Sequence, residues 1–495
     1  MKYPNVLLIR HEHYGDIDLV INGSSSDGTL QCNVEITSDV ARAKEIMSDK
    51  YHLILTYGPY ASEYSDIGRM IGDRHRARWI HKAELPSVSD LNEHLNFCFI
   101  HNILKPREST RPVFSIFTTC YNSYDKIVRA YTSLLAQHLI DWEWVILDDS
   151  PSDDHFQYLR NTLTDPRIRL YNRAGNSGSI GYVKNEAVMM CRGKYCIELD
   201  HDDEIVPSCL LDAAQVFESR PEIGFIYMDF INMYEDTSPF RYGDFLCKGY
   251  GGYLAVKYQG RWQNMYLTPN INNITMSHLV CCPNHPRIWR RDSLMNAGNF
   301  SELLPVCDDY EILLRTFMTT GVAKICKLGY IQYMNDGNSN FSLIRNGEIN
   351  RIGPQQIMPN FYRQFQVHEK MEAAGASEHS SYISNQSLVW TRGEEFEHKF
   401  MNLRLSVDHT RQVLVIGLDA FKKPEMSAYL DDPSTEVILL DNCGSIDSLT
   451  NYLDASDNTD VKCWSLPNEQ HNNREAILKY FEYLCKTCDD VVIVE

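Results

Sequence analysis

Across residues 112–350, short apolar runs alternate with amphipathic helical stretches, and two of the runs end abruptly in carboxylates. Trp144–Leu147 leads into Asp148-Asp149, and Tyr195–Leu199 leads into Asp200-His201-Asp202-Asp203. Phe114–Thr119 and Ile168–Tyr171 complete a set of four predicted strands. After the first comes a predicted helix with Ile127, Ala130, Tyr131, Leu134 and Leu135 at the i, i+3, i+4, i+7, i+8 spacing of one buried stripe. Strand–helix alternation predicts an α/β fold with a mostly parallel sheet and helices on both faces. Ligands of such sheets bind beyond the carboxyl ends of the strands, so both acidic clusters are predicted to face the ligand crevice.

The rest of the chain divides around this segment. Residues 1–105 and 406–495 read as two small, doubly wound α/β flanking domains, with residues 106–350 central and 351–405 a helical extension. The polar stretch Lys105–Pro112 marks the first boundary. Strand candidates in the first flank are Val6–Ile9, Leu19–Ile21, Leu53–Thr56 and Trp79–Ile80; in the last they are Val413–Ile416, Val437–Leu440 and Val491–Val494. A lone Gly417 after its strand is no dinucleotide fingerprint. Leu53–Thr56 runs into Tyr57-Gly58 with no acidic residue, which excludes a phospho-receiver. Scaffolding, acceptor capture or self-association as a homo-oligomer are the expected roles, and donor cleavage is expected to need neither flank.

A formal net charge of −19 argues against a nucleic-acid or anionic-membrane partner. The 15 cysteines, an odd number scattered through apolar segments, read as reduced thiols, and Met1–Arg10 shows no signal-peptide pattern. No apolar stretch approaches the ~20 residues that span a bilayer. The expected location is therefore cytoplasmic.

Three carboxylates within Asp200–Asp203 repel one another unless water or a cation offsets them. Hard oxygen ligands suit magnesium or manganese bridged to substrate phosphates. The competing reading is a polar cap for a helix over Val206–Phe217. Asp308 and Asp309 pose the same choice. They open a predicted helix that buries Tyr310, Leu313, Leu314 and Phe317, where they are either capping acids or ionised carboxylates steadied by the helix N-terminus.

Five motifs in order then raise a resemblance. They are Phe114–Asn122, Trp144–Ser150, Asn176-Ser-Gly178 with Lys184-Asn185, Gly193–Asp203, and Ile288–Phe300 followed by Asp308–Arg315. Over roughly residues 112–345 this series resembles the family-2 glycosyltransferases of GT-A fold. The resemblance implies inverting transfer of a sugar from a nucleotide-sugar, most often a UDP-sugar, onto a hydroxyl of a glycan, lipid-linked or protein acceptor. Thr119 and Tyr121 fall where the family contacts the nucleoside, Asp149 where it meets the base, and Lys184 where a cation approaches the donor. Asp200 and Asp202 match the Asp-x-Asp pair, with Asp202 or Asp203 as the metal ligand for Mn2+ or Mg2+, and Asp309 matches the general base. Asn335, beside Asp336, stands where many relatives carry a histidine that helps hold the metal or diphosphate.

Two other classes compete. A nucleotidyltransferase would carry a glycine-rich basic loop after its first strand, and Thr119–Tyr124 offers none. A non-catalytic nucleotide-sugar-binding or assembly module would have no need of Asp149, Asp202 and Asp309 together. His278–His285 has spacing that could hold zinc, and the stretch Tyr250–Trp262 could stack a sugar ring.

Overall fold

The structure is a computed structural model. It describes residues 5–9, 33–48, 50–57, 78–82, 111–173, 175–241, 252–268, 283–334, 345–357, 402–441, 446–456, 461–465 and 474–495, with a few single positions between them. Two compact units emerge, one of residues 1–112 with 138–142, the other of 113–137 with 143–495.

In the first unit, β1 (Asn5–Ile9), β2 (Asn33–Thr37), β3 (Leu53–Tyr57) and β4 (Trp79–Lys82) form a parallel sheet in the order β2-β1-β3-β4. Leu7, Ile9, Ile54 and Tyr51 pack with Ala43, Ile46, Ile67 and Ile71 into its core. Three of the expected strands are present; Leu19–Ile21 lies outside the described residues. β2 escaped notice because Asn33, Glu35 and Thr37 leave only Val34 and Ile36 as an apolar signal.

The second unit holds one long sheet. Its first strands are β5 (Phe114–Cys120), β6 (Trp142–Asp148), β7 (Ile168–Asn172), β8 (Tyr195–Glu198), the short β9 (Glu204–Ile205) and β10 (Ile223–Tyr234). They are followed by β11 (Gly252–Tyr258), β12 (Arg261–Leu267), β13 (Arg287–Arg290), β14 (Gly321–Met334) and β15 (Asn402–Leu405). β16 (Arg411–Ile416), β17 (Thr435–Asp441), β18 (Lys462–Ser465) and β19 (Asp490–Val494) complete it. The main path is β19-β16-β17-β18-β11-β12-β10-β13-β8-β5-β6-β7. β5–β8 and β6–β7 pair parallel as expected, whereas β13 runs antiparallel to both β8 and β10.

Helices α1 (Ile127–Leu135), α2 (Asp153–Thr162), α3 (Ile180–Met190), α4 (Cys209–Ser219), α5 (Arg291–Asn296) and α6 (Asp308–Thr319) connect the central strands. α1 buries Ile127, Ala130 and Leu134, but Leu135 is 48% exposed, so the stripe is one residue narrower than its spacing predicts. α4 begins three residues later than the predicted Val206, with Ser208 at its cap. The Asp200–Asp203 cluster is therefore not its capping box.

The C-terminal strands are joined to the central ones. β16, β17, β18 and β19 are mutually parallel, as an α/β unit requires, yet β18 also pairs antiparallel with β11 through Leu254–Trp464 and Ala255–Cys463. β15 adds to β14 in parallel. β18 was not anticipated, since Lys462 and Ser465 bracket only Cys463 and Trp464.

Candidate active site

β6, β5 and β8 are neighbours, so their carboxyl ends open onto one crevice. The end of β6 shows how the chain sorts two adjacent acids. Asp148 is buried and meets His155 Nδ1 at 2.9 Å. His155 Nε2 accepts the Ser123 and Tyr124 amides at 2.9 and 3.1 Å, so the ring proton sits on Nδ1 and is donated to Asp148. Burial pushes the Asp148 carboxyl up, but the His155 and Ser150 bonds prevail and hold it below its ordinary value. This side chain pins the loop after β5 to the end of β6.

Asp149 points the other way. Its oxygens accept the Ser177 amide at 2.9 and 3.1 Å, the Ser177 hydroxyl at 2.9 Å and Arg173 Nη1 at 2.7 Å. Arg173 also lies over the Tyr182 ring, 4.9 Å from its centroid. Asp149 thus anchors the loop that leads into α3. Tyr121, at the end of β5, is 49% exposed and presents a bare ring. Thr119 is half-buried, and its carbonyl lies 3.4 Å from His201 Nδ1.

At the end of β8 the three aspartates diverge. The Asp200 side chain is 44% exposed, with Oδ2 3.5 Å from His285 Nε2. Partial desolvation raises its carboxyl, and the His285 ring outweighs that and holds the group well below the usual carboxylate range. Asp202 is half-buried beside it. Asp203 serves the fold rather than the crevice. It is 2% exposed, and its two oxygens accept the Tyr330 hydroxyl at 2.9 Å and the Tyr333 amide at 2.8 Å. Burial first, then Asp202 and Asp200, push its carboxyl well above the ordinary value.

α6 buries Tyr310, Leu313, Leu314 and Phe317 as the periodicity predicts. Cys307 is its cap, in the left-handed region at φ 65°, and makes no side-chain cap bond, while Asp309 Oδ1 accepts the first-turn amide of Tyr310 at 2.7 Å. Asp308 Oδ2 accepts from Lys184 Nζ at 2.9 Å, and Asp309 Oδ2 from Arg287 Nη2 at 2.8 Å. Gly181 lets α3 approach the backbone before α6 closely: a Cβ there would overlap the Ser301 carbonyl oxygen. Lys184, expected near the donor, is buried and also paired with Glu198 at 2.8 Å. Arg287 Nη1 reaches the other Glu198 oxygen at 3.1 Å.

A chain of alternating charge therefore runs Asp308–Lys184–Glu198–Arg287–Asp309 beneath the crevice. Burial alone would raise Glu198; Lys184 and Arg287 hold it below the ordinary carboxylate value. For Asp308 burial prevails over Lys184, and the group is raised. Sequence reading missed Glu198 and Arg287, and took His285 only as a possible zinc ligand. A charged residue inside the otherwise apolar strand Tyr-Cys-Ile-Glu was the available signal.

Among the described residues, no three His, Cys, Asp or Glu side chains converge as a metal cage. Of the stretch His278–His285 whose spacing could hold zinc, 278–282 lie outside the described residues, as do Asn335 and Asp336. Asp200 and Asp202 together fit a hard cation held by one or two carboxylates, the remaining positions going to phosphate and water.

Residues 115–298 match the family described as Glycosyl transferase family 2. WcaA of Escherichia coli (strain K12), a protein of colanic acid biosynthesis described as a glycosyl transferase, is 37% identical over 100 residues, covering 20% of this chain and 36% of its own. The chondroitin synthase of Escherichia coli is 26% identical over 229 residues, covering 46% of this chain and 30% of its own. The chain thus spans about a third of the length of these relatives. Among solved structures, the mannosyltransferase PcManGT from Pyrobaculum calidifontis in complex with GDP-Man and Mn2+ is 14% identical with a TM-score of 0.35, covering 61% of this chain and 86% of its own. Residues 115–298 are a glycosyl transferase family 2 domain.

Proposed function

We propose that this chain is an inverting glycosyltransferase that moves a sugar from a nucleotide-sugar, with UDP-sugars favoured, onto an acceptor hydroxyl. The observation that carries this reading is that Asp309 is more than a helix-end acid: Oδ1 accepts the Tyr310 amide of its own helix, and Oδ2 is taken by a buried cation from another element. Arg287 holds it, and the same guanidinium reaches Glu198, two residues before Asp200. The candidate base and the acidic cluster thus belong to one charge network at one end of the sheet. Tyr121 offers an exposed ring for the nucleoside, and the loop that Asp149 anchors closes the base side. Asp200 and Asp202 would hold a manganese or magnesium ion, which would offset charge on the departing diphosphate. The acceptor oxygen bonds to the anomeric carbon as the bond to the diphosphate breaks, and the hydroxyl proton passes to Asp309. Acceptors in this reading are glycans, lipid-linked sugars or proteins.

Calorimetry with UDP and Mn2+ tests the donor half. Binding should weaken when a chelator is added and in Asp202→Ala; equal affinity in all three conditions would sink the metal-assisted reading. Release of nucleoside diphosphate from a panel of UDP-glucose, UDP-galactose, UDP-GlcNAc and GDP-mannose tests turnover. Nucleotide binding with no turnover of any donor would favour a non-catalytic module.

A further inference from the structure

Arg287 is among the largest fully buried side chains of the chain, yet it carries a full charge. Its Nη2 donates to Asp309 Oδ2 at 2.8 Å, its Nη1 to Glu198 Oε2 at 3.1 Å and its Nε to the Pro283 carbonyl at 3.3 Å. The ladder between β13 and β8 sets this arrangement, because Arg287 lies directly opposite Glu198 in the antiparallel register. Glu198 is fixed in turn by Lys184, which ties down Asp308 with the same ammonium. Two adjacent carboxylates at the start of one helix are thereby pulled to different cations. Burying so much charge is costly and stabilises a fold poorly compared with apolar packing, so its retention calls for another consequence. That consequence is geometric. The guanidinium grips Asp309 through Oδ2 while Oδ1 accepts the Tyr310 amide at 2.7 Å, so the two contacts together fix the carboxylate plane, and the Asp309 side chain keeps 22% exposure.

We propose that Arg287 is the positioning residue of Asp309: it fixes the plane of the carboxylate and keeps it charged, with Glu198 and Lys184 holding the guanidinium in place. The inference rests on the reading of Asp309 as the base. The charged and titratable groups facing Asp309 are Arg287 from β13, Lys184 from α3, and Asp308 and Cys307 at the start of its own helix. Arg287 pairs with it directly at 2.8 Å, and a cation at that distance favours the ionised form.

The test uses the full chain, with release of nucleoside diphosphate from the same four-donor panel as readout. Arg287→Gln should lower kcat by about 100-fold, because a misplaced catalytic group costs on that order. Its donor KM should stay within about twofold, since the lost interaction belongs to the transition state. The acid limb of its kcat/KM profile should move to higher pH, as expected for a carboxylate that loses a neighbouring cation. Arg287→Lys, which keeps the charge, should recover part of both effects. If Arg287→Gln does not fold, Glu198→Gln/Arg287→Gln removes the charge left behind and takes its place, with melting curves as the control. A folded Arg287 variant with wild-type kcat and an unmoved acid limb overturns the proposal, as does a variant whose entire loss lies in donor KM. Asp309→Asn separates the two levels. Wild-type turnover in that variant defeats the reading of the base itself. A dead Asp309→Asn beside normal Arg287 variants defeats only the positioning role.

Discussion

Asp200, Asp202 and Asp203 are sequence neighbours held in different surroundings: Asp200 faces His285, Asp202 is half-buried, and Asp203 is enclosed by Tyr330 and Tyr333. A carboxylate whose oxygens are both occupied by protein donors has little left to offer a cation. We therefore expect Asp203→Asn to keep the metal dependence of nucleotide binding, and Asp203→Ala to keep it while losing stability. The alanine leaves the Tyr333 amide and the Tyr330 hydroxyl unpaired, a loss of about 1–3 kcal/mol. Paired calorimetry and thermal melts check both parts; a metal-independent Asp203→Asn would make Asp203 a ligand after all.

At the level of elements, one buried acid clamps four of them. Glu143, in β6 and 2% exposed, accepts the Ser115 hydroxyl of β5 at 2.7 Å, the Arg192 amide at 2.7 Å and Arg169 Nη1 of β7 at 3.1 Å. Arg192 stands in the turn between α3 and β8, so the clamp sets the spacing of the strands whose far ends form the crevice. Burial raises the Glu143 carboxyl, while Ser115 and Arg192 outweigh it and leave the group below its ordinary value. A depressed carboxyl stabilises the native state above its unfolded pKa of about 4.3, and that contribution fades as pH falls further. Glu143→Gln should thus lower stability by about 3 kcal/mol at neutral pH. The gap to wild type should narrow below about pH 4. Denaturant titrations at several pH values measure both; a gap independent of pH would show that packing, rather than charge, carries the effect.

At the scale of the molecule, continuity of the long sheet changes what truncation should do. The sequence reading expects residues 410–495 to be removable without loss of donor cleavage. In the structure, that cut exposes the β11 edge and removes Trp464, which is fully buried, together with Val413, Val415 and Leu439, which pack with Ala255 of β11 in one core. An uncovered edge strand beside lost apolar cover invites association. A chain ending at residue 409 should therefore be aggregated or molten by size-exclusion chromatography and near-UV circular dichroism. A monodisperse product with a cooperative melt would restore the original expectation.

The sequence by itself determined the periodic features. Period-two and period-3.6 patterns placed β5 to β8 and the buried face of α6 within a residue or two, because burial of apolar side chains enforces those periods locally. It also placed Thr119–Tyr121, Asp149 and Asp200–Asp202 at strand ends, since a polar cluster after an apolar run must leave the sheet. Strands with two apolar residues, such as β2 and β18, were illegible for the same reason. What each acid does was decided only by the tertiary structure. Asp203 and Asp202 differ by one position in sequence, and only β14 makes one of them a buried hydrogen-bond acceptor. A linear reading sets Lys184 near the donor and gives Arg287 no role. Strand register pairs Arg287 with Glu198 and helix packing pairs Lys184 with Asp308, residues 89 and 124 positions apart, and no local pattern encodes a contact at that separation.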